Sequence, residues 1–333
     1  MAVLAATHPT LMDVAKRLDS KGNIDNIVEM LSMTNGVLDD MVWIEGNLPT
    51  GHRTTVRTGL PAPTWRKLYG GVQPAKSTTA QVTDSCGMLE AYAEIDKALA
   101  DLNGNAATFR LSEDRAFIEG MNQEFASTLF YGNEGSEPEA FTGFGPRFNS
   151  QSAANGENIL TSAATPDNAD NTSIWLVVWG PNTVHGIYPK GSKAGLTQTD
   201  KGQVTIEDAT GSNGGRMEAY RTHYRWDCGL TVRDWRYIVR INYDLEDIVA
   251  AASSGPVLSE LMGKAIRRIP SLAMGRPAFY CNRDSFDAIE LQANNKSNMA
   301  FNNIVDAQGK PVTAFRGIPI RQCDSILSNE SGI

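Results

Sequence analysis

Apolar residues in this chain recur with two different periods, and the period changes several times along its length. In residues 112–131, Phe117, Met121, Phe125 and Leu129 fall every four residues, which places them on one face of a helix. Ser112 suits its N-cap, and Glu113 and Asp114 complement the positive end of the helix dipole. At about 20 residues, such a helix is roughly 30 Å long. Residues 87–102 carry a similar stripe, with Met88, Tyr92, Ile95, Leu99 and Leu102 closed by Asn103-Gly104, and predict a second helix. A third follows Gly255-Pro256, with Val257, Leu258, Leu261, Met262, Ala265 and Ile266 on its apolar face, and ends before Pro270. A fourth covers 283–292. Near the start, Asn23 caps a short helical pattern through Ile24, Ile27, Val28 and Leu31.

Between these helices the period is two. SIWLVVWG at 173–180 and TVHGIY at 183–188 read as strands joined by Gly180-Pro181-Asn182, a hairpin signal. After a polar excursion at 209–215, EAYRTHYRWDCGL and TVRDWRYIVRINY alternate apolar and polar residues as half-buried strands do. Short strands are expected at 278–281 and 318–320. No internal repeat is present. Residues 46–83 differ from the rest. They hold Pro49, Pro61, Pro63 and Pro74, many threonines and short β-type runs such as TTVRT. A polar, Pro-rich and Gly-rich segment of this length is unusual inside a compact domain, so it predicts an extended hairpin leaving the body.

With 333 residues, 41% hydrophobic and 20% charged, the chain is long enough for a sizeable core. Separate runs of helices and strands give an α+β class. The net charge of −8 disfavours specific binding to phosphates. Cys86, Cys228, Cys281 and Cys323 show no CxxC pair and no zinc rhythm, so reduced thiols are expected. No signal-peptide pattern opens the sequence, and no apolar run reaches the about 18 residues of a membrane span.

The residues that carry catalytic chemistry elsewhere form no reactive pattern here. The four histidines, His8, His52, His185 and His223, form no HExxH or other metal spacing. No GxSxG elbow marks a nucleophile. GFGPRF at 143–148 lacks the third glycine of a phosphate loop, and DNADNT at 167–172 lacks the glutamate of a calcium loop. Trp226, Trp235 and Tyr237 alternate with Arg225, Arg233 and Arg236, which suits base stacking. Interleaved Asp227 and Asp234 favour a sheet face with cross-strand ion pairs instead. No cofactor and no enzyme activity are expected.

Charge is segregated. Residues 46–83 contain Arg53, Arg57, Arg66, Lys67 and Lys76 and no acid. Residues 113–139 contain Glu113, Asp114, Glu119, Glu124, Glu134, Glu137 and Glu139 against Arg115 alone.

The order of these features resembles the major capsid proteins of tailed bacteriophages of the HK-97 type. An arm, a projecting hairpin and a long helix are similar to that family's N-arm, extended loop and spine helix. AFYCNRDSFDAIELQ followed by NNIVDAQGKPVTAFRGIPIRQCDSI resembles its strand ending in Asn, its helix, a D-x-x-G-x-P turn and a G-x-P-I strand. The matching residues are Asn282, Asp306, Gly309, Pro311, Gly317, Pro319 and Ile320. Phe141-Thr142-Gly143-Phe144 resembles the F-x-G turn after the spine helix. GIPI lies after the arginine-rich β segment, an order similar to a rearranged version found among short-tailed phages.

The resemblance implies an N-terminal arm at 1–45, an extended loop at 46–85, and the spine helix with part of a peripheral domain at 86–172. It implies a β-rich segment at 173–252 shared by axial and peripheral domains, and axial helices and closing strands at 253–333. The implied function is a major capsid protein that forms hexamers and pentamers of an icosahedral shell around double-stranded DNA, held non-specifically. Assembly is expected in the bacterial cytoplasm, away from membranes, with a portal protein and a cement or decoration protein as further partners. Only about 45 residues precede the hairpin, so a separate scaffolding protein is expected. Cross-linking through Lys67 or Lys76 and an asparagine follows by analogy, although no pattern nearby marks a catalysing acid. The loop's Arg53, Arg57, Arg66, Lys67 and Lys76 and the helix's Glu113, Asp114, Glu119 and Glu124 are the inter-subunit contact candidates. A tail component, or a hydrolase with a lid at 46–83, are the alternative readings.

Overall fold

A computed structural model describes residues 33–101, 106–162, 171–207, 215–244, 257–295, 301–305 and 311–333. The expected helix at Asn23, the Asn103-Gly104 and Gly255-Pro256 signals, most of the 209–215 excursion, and Asp306 and Gly309 lie outside these residues. Among the described residues the strands in chain order are β1 (Trp43–Glu45), β2 (Gly51–Gly59), β3 (Thr78–Asp96), β4 (Ile159–Thr161), β5 (Asn171–Trp179), β6 (Val184–Tyr188) and β7 (Thr197–Glu207). They continue with β8 (Arg216–Val232), β9 (Ile238–Asp244), β10 (Arg276–Cys281), β11 (Phe301–Val305), β12 (Pro311–Phe315) and β13 (Ile318–Gln322). Among the described residues three helices exceed two turns: α1 (Ala106–Tyr131), α2 (Leu258–Arg268) and α3 (Arg283–Asn295).

The chain forms two compact units. One holds Met88–Phe125 and Gly195–Asp227; the other holds Thr34–Gly87, Ala126–Ala194 and Cys228–Ile333.

The second unit is organised around β5, whose nine residues are all buried. Strands run in the order β11-β12-β13-β10-β5-β9-β4, so β5 is paired on both edges. Because successive side chains point to opposite faces, the apolar run IWLVVW feeds two cores. Ile174, Leu176 and Val178 join Val239 and Ile241 of β9, Phe279 of β10 and the Leu258, Leu261, Met262 and Ala265 face of α2. Trp175 and Trp179 point the other way. Trp175 meets Phe130, Phe144 and Phe148 at ring distances of 6.2, 5.6 and 6.1 Å. The Gly180-Pro181-Asn182 turn is present, but it does not make the expected hairpin. The neighbours of β5 are already β9 and β10. β6 therefore leaves after a single contact between Trp179 and Val184 and pairs with β8 and β1.

In the first unit, β8 lies beside β3 and pairs antiparallel with β7. The expected helix at 87–102 is replaced here by the end of β3, followed by one helical turn at Lys97–Asp101. Met88 and Tyr92, spaced four apart, imitate a helical stripe, yet both are exposed. The operative pattern is Leu89, Ala91, Ala93 and Ile95 on one face against Glu90, Glu94 and Asp96 on the other. The apolar face receives α1. Phe117 stacks on Tyr224 at 6.0 Å and Phe125 on Trp226 at 4.5 Å, beside Met121. The helix already covers Ala106–Tyr131, so Ser112 lies inside it rather than at its cap. The opposite face carries a charged ladder. Arg221 pairs with Glu94 at 2.6 Å, Arg225 with Glu90 at 3.5 Å, and His223 reaches Glu90 at 3.2 Å. The alternation in β8 thus places Tyr224 and Trp226 under the helix and Arg221 and Arg225 against β3 carboxylates. Base stacking is not needed to explain it.

Among the described residues no disulfide joins the cysteines: Cys86 is half-buried and Cys228, Cys281 and Cys323 are buried. Burial pushes the Cys281 thiol far up and Cys323 up to about 12, so both stay protonated at neutral pH.

Candidate assembly surface

The hairpin is built by eight antiparallel pairs, from Gly51 opposite Ser85 to Gly59 opposite Thr78. Its root is fixed. Arg147 donates from Nη2 to Asp84 Oδ1 at 2.9 Å and also to the Thr142 and Leu230 carbonyls. Gly51 is required there, because a Cβ would come within 2.1 Å of the Asp84 carbonyl oxygen. Beyond Gly59 the pairing stops. Nearly every residue from 60 to 77 is exposed, including Leu60, Trp65, Leu68 and Tyr69. A segment of this length with no burial in its own chain has no folding energy of its own to hold it.

The basic candidates all lie on this hairpin. Arg53 donates to Thr83 Oγ1 at 3.2 Å, Arg66 closes the tip turn by donating to the Gly70 carbonyl at 2.8 Å, and Arg57, Lys67 and Lys76 are exposed. The acidic candidates lie on α1, but most are already engaged within their unit. Asp114 accepts from Gln198 at 3.3 Å. Glu119 accepts from the Met33 amide at 2.8 Å and from Gln123 at 2.9 Å. Burial works against ionisation of Glu119, and these donors outweigh it, holding its carboxyl below the usual range. Glu113 is half-buried, whereas Glu124 is exposed. Sequence spacing located the acidic stripe but could not say which acids were free to meet a partner.

A second set of residues was missed as a group. His52 on β2 and His185 on β6 sit edge to face at 5.8 Å, both buried, and none of their ring nitrogens has a hydrogen-bond partner among the described residues. Burial, then the Arg233 charge, then His52 push His185 down to about 4; burial and Arg233 also lower His52, against Asp84. The neutral imidazole is therefore favoured in the fold. For His185 the stabilisation is complete above the unfolded value near 6.5 and is lost as pH falls toward 4, about 3 kcal/mol in all. Urea midpoints should fall between pH 7.5 and pH 4.5, and His185→Gln should flatten that slope. Parallel slopes for the two proteins would disprove the assignment.

The turns of the sequence pattern act as packing devices. A Cβ on Gly143 would lie 2.5 Å from both the Thr128 and Leu129 carbonyl oxygens, so Phe141-Thr142-Gly143-Phe144 folds directly onto the last turn of α1. Asn282 caps α3 by accepting from the Ser285 amide at 2.9 Å, and its own amide donates to Thr172 at 3.1 Å. Gly317 adopts φ 82° between β12 and β13, a left-handed conformation that favours glycine. These residues shape the fold and carry no reacting group. Among the described residues, no three His, Cys, Asp or Glu are placed to hold a metal, and no helix is long and apolar enough to cross a membrane.

A sequence model of the family described as major capsid protein GP7 matches residues 19–333. A chain from the structure of bacteriophage Epsilon15 is 37% identical, with a TM-score of 0.80 over 100% of this chain and 99% of that one. The bacteriophage JBD30 capsid is 10% identical, with a TM-score of 0.48 over 96% of this chain and 99% of its own. No protein of curated function matches in sequence. A fold whose motifs are all turns and packing positions, matched over nearly its whole length, places this chain in the major capsid protein GP7 family, as an α+β shell subunit of a phage head with the HK-97-type fold.

Proposed function

We propose that the subunits of this shell hold one another through the basic hairpin, which lies on the acidic α1 surface of a neighbouring copy. The observation that carries this reading is the exposure of residues 60–77, which bury almost nothing in their own chain. The hairpin then plays the part of the extended loop, and α1 that of the spine helix. The unit holding Met88–Phe125 corresponds to the peripheral domain and the other to the axial domain. Copies tile as hexamers and pentamers, and a scaffolding protein, a portal and a cement protein complete the assembly in the host cytoplasm. The protomer performs no catalysis in this scheme, because repeated self-association needs interfaces rather than nucleophiles. Lys67 and Lys76 act as charges and form no covalent cross-link in this scheme.

Single exposed ion pairs contribute about 0–1 kcal/mol each, so no one pair decides assembly. Several together, repeated around a shell, set orientation and rate. The test is reversal of Arg53, Arg57, Arg66 and Lys67 to Glu. The subunit should keep its urea midpoint, because the loop contributes no core, while closed shells should fail to form or become salt-sensitive in sedimentation and electron microscopy. Normal assembly at both low and high salt would rule the docking out.

A further inference from the structure

The hairpin tip carries more than charge. Trp65 and Tyr69 are fully exposed, and Leu68 is 90% exposed. The backbone is shaped to present them: the Gly70 amide donates to the Lys67 carbonyl at 3.1 Å, and Tyr69 adopts φ 61°, an uncommon conformation for an aromatic residue. Large aromatic side chains held in water by an ordered turn mark an interaction site. Among the described residues nothing covers Trp65, which leaves its indole free for a second copy.

A matching receptor exists on α1. Leu89 and Ala91 of β3, with Phe117, Gly120 and Met121 of α1, line an open apolar groove of about 320 Å³. Gly120 sits in the interior of a 26-residue helix, where glycine is unfavourable. Among the described residues nothing requires it, because a Cβ there would meet no atom within 4 Å. Its missing side chain instead widens the groove. Glu124, one turn further on, lines the same groove, is exposed, and forms no ion pair among the described residues. The tip presents Arg66 and Lys67 directly after Trp65, with no acid in the segment.

We infer that Trp65 of one copy seats in the α1–β3 groove of a second copy, over Gly120, with Arg66 and Lys67 meeting Glu124. This rests on the hairpin docking proposed above and adds its anchor and socket. An aromatic anchor in an apolar pocket carries most of the energy of an interface, while the surrounding charges set approach and register.

Three full-length variants test the seat under conditions in which the unaltered chain forms shells. Trp65→Ala should lower shell yield by about tenfold or more at equal subunit concentration, with an unchanged urea midpoint. Gly120→Leu fills the socket from within. It should raise the subunit's midpoint, because leucine favours the helix and meets open space, yet lower shell yield to a similar degree. The double variant Trp65→Cys with Gly120→Cys should give covalent subunit ladders on mild oxidation that neither single variant gives, with peptide mapping joining positions 65 and 120. Native yields from both Trp65→Ala and Gly120→Leu would overturn the seat. So would a cross-link from position 65 to another site on the copy or to a different protein. If the charge-reversed hairpin blocks assembly while these two variants assemble normally, docking stands and the anchor falls. If all of them assemble normally, both fall.

Discussion

Replacing Glu330 with alanine should destabilise the subunit by about 3–5 kcal/mol, because it leaves a buried arginine without its counter-charge. Arg240 and Glu330 pair at 2.7 Å with side chains only 7% and 3% exposed. Each has further partners. Arg240 donates to Ser173 Oγ at 2.9 Å and to the Phe148 carbonyl at 2.8 Å, and its guanidinium lies 5.1 Å from the Trp175 ring centre. Glu330 accepts from Ser173 and from the Tyr131 hydroxyl. The same hydroxyl accepts from the Leu327 amide at 2.9 Å. The network therefore ties the C-terminal segment to the end of α1 and to β5 and β9.

The large expected cost is the desolvation of an orphaned charge, not the net value of the pair. Burying two ions is itself expensive, so an apolar pair of similar volume can do as well. Arg240→Met combined with Glu330→Leu should therefore recover much of what Glu330→Ala loses. Urea midpoints of the singles and the double form the required cycle. A loss below about 1 kcal/mol for Glu330→Ala would mean that water reaches the pair.

This network had no signature in the sequence. Its members are separated by 90 residues between Arg240 and Glu330, and each looks like an ordinary surface residue. The β5 run was legible, because six consecutive apolar residues bounded by turn signals have few alternatives. The α1 stripe was legible for the same reason: Phe117, Met121 and Phe125 leave one face to bury. The misreading of 87–102 has a definite cause. Met88 and Tyr92 are large and apolar but face outward, where Tyr92 stacks on His223 at 4.5 Å, while small Ala91 and Ala93 supply the buried face. Side-chain size misled where alternation would not have. At the candidate interface, the excess of positive charge in the hairpin was countable. The aromatic tip was passed over, because Trp65, Leu68 and Tyr69 are too few to suggest a core. Only their exposure in the fold shows that no described residue covers them. Which acids of α1 are spent within the subunit depends on Gln198 and Met33, both distant in sequence, and no spacing rule reaches that far.

Truncating Phe125 to alanine should cost about 3–5 kcal/mol. Its side chain is 1% exposed and stacks nearly parallel on Trp226, at 4.5 Å and 20°, so removal leaves a cavity that a rigid sheet cannot close. Leu111→Ala, at a position 55% exposed on the same helix, should change stability by no more than about 0.5 kcal/mol. An equal, small effect at both positions would mean that α1 is not seated on the β3–β8 ribbon. The consequence for assembly follows from helix geometry. Glu124 lines the groove at the surface and Phe125 stacks on Trp226 of the sheet, so one turn of α1 serves both the core and the proposed interface. Loosening Phe125 displaces Gly120 and Glu124 together. Shell formation by Phe125→Ala should therefore fall at every salt concentration, in contrast to the charge-reversed hairpin, whose defect should change with ionic strength. A Phe125→Ala defect that high or low salt repairs would show that the core contact and the interface are independent.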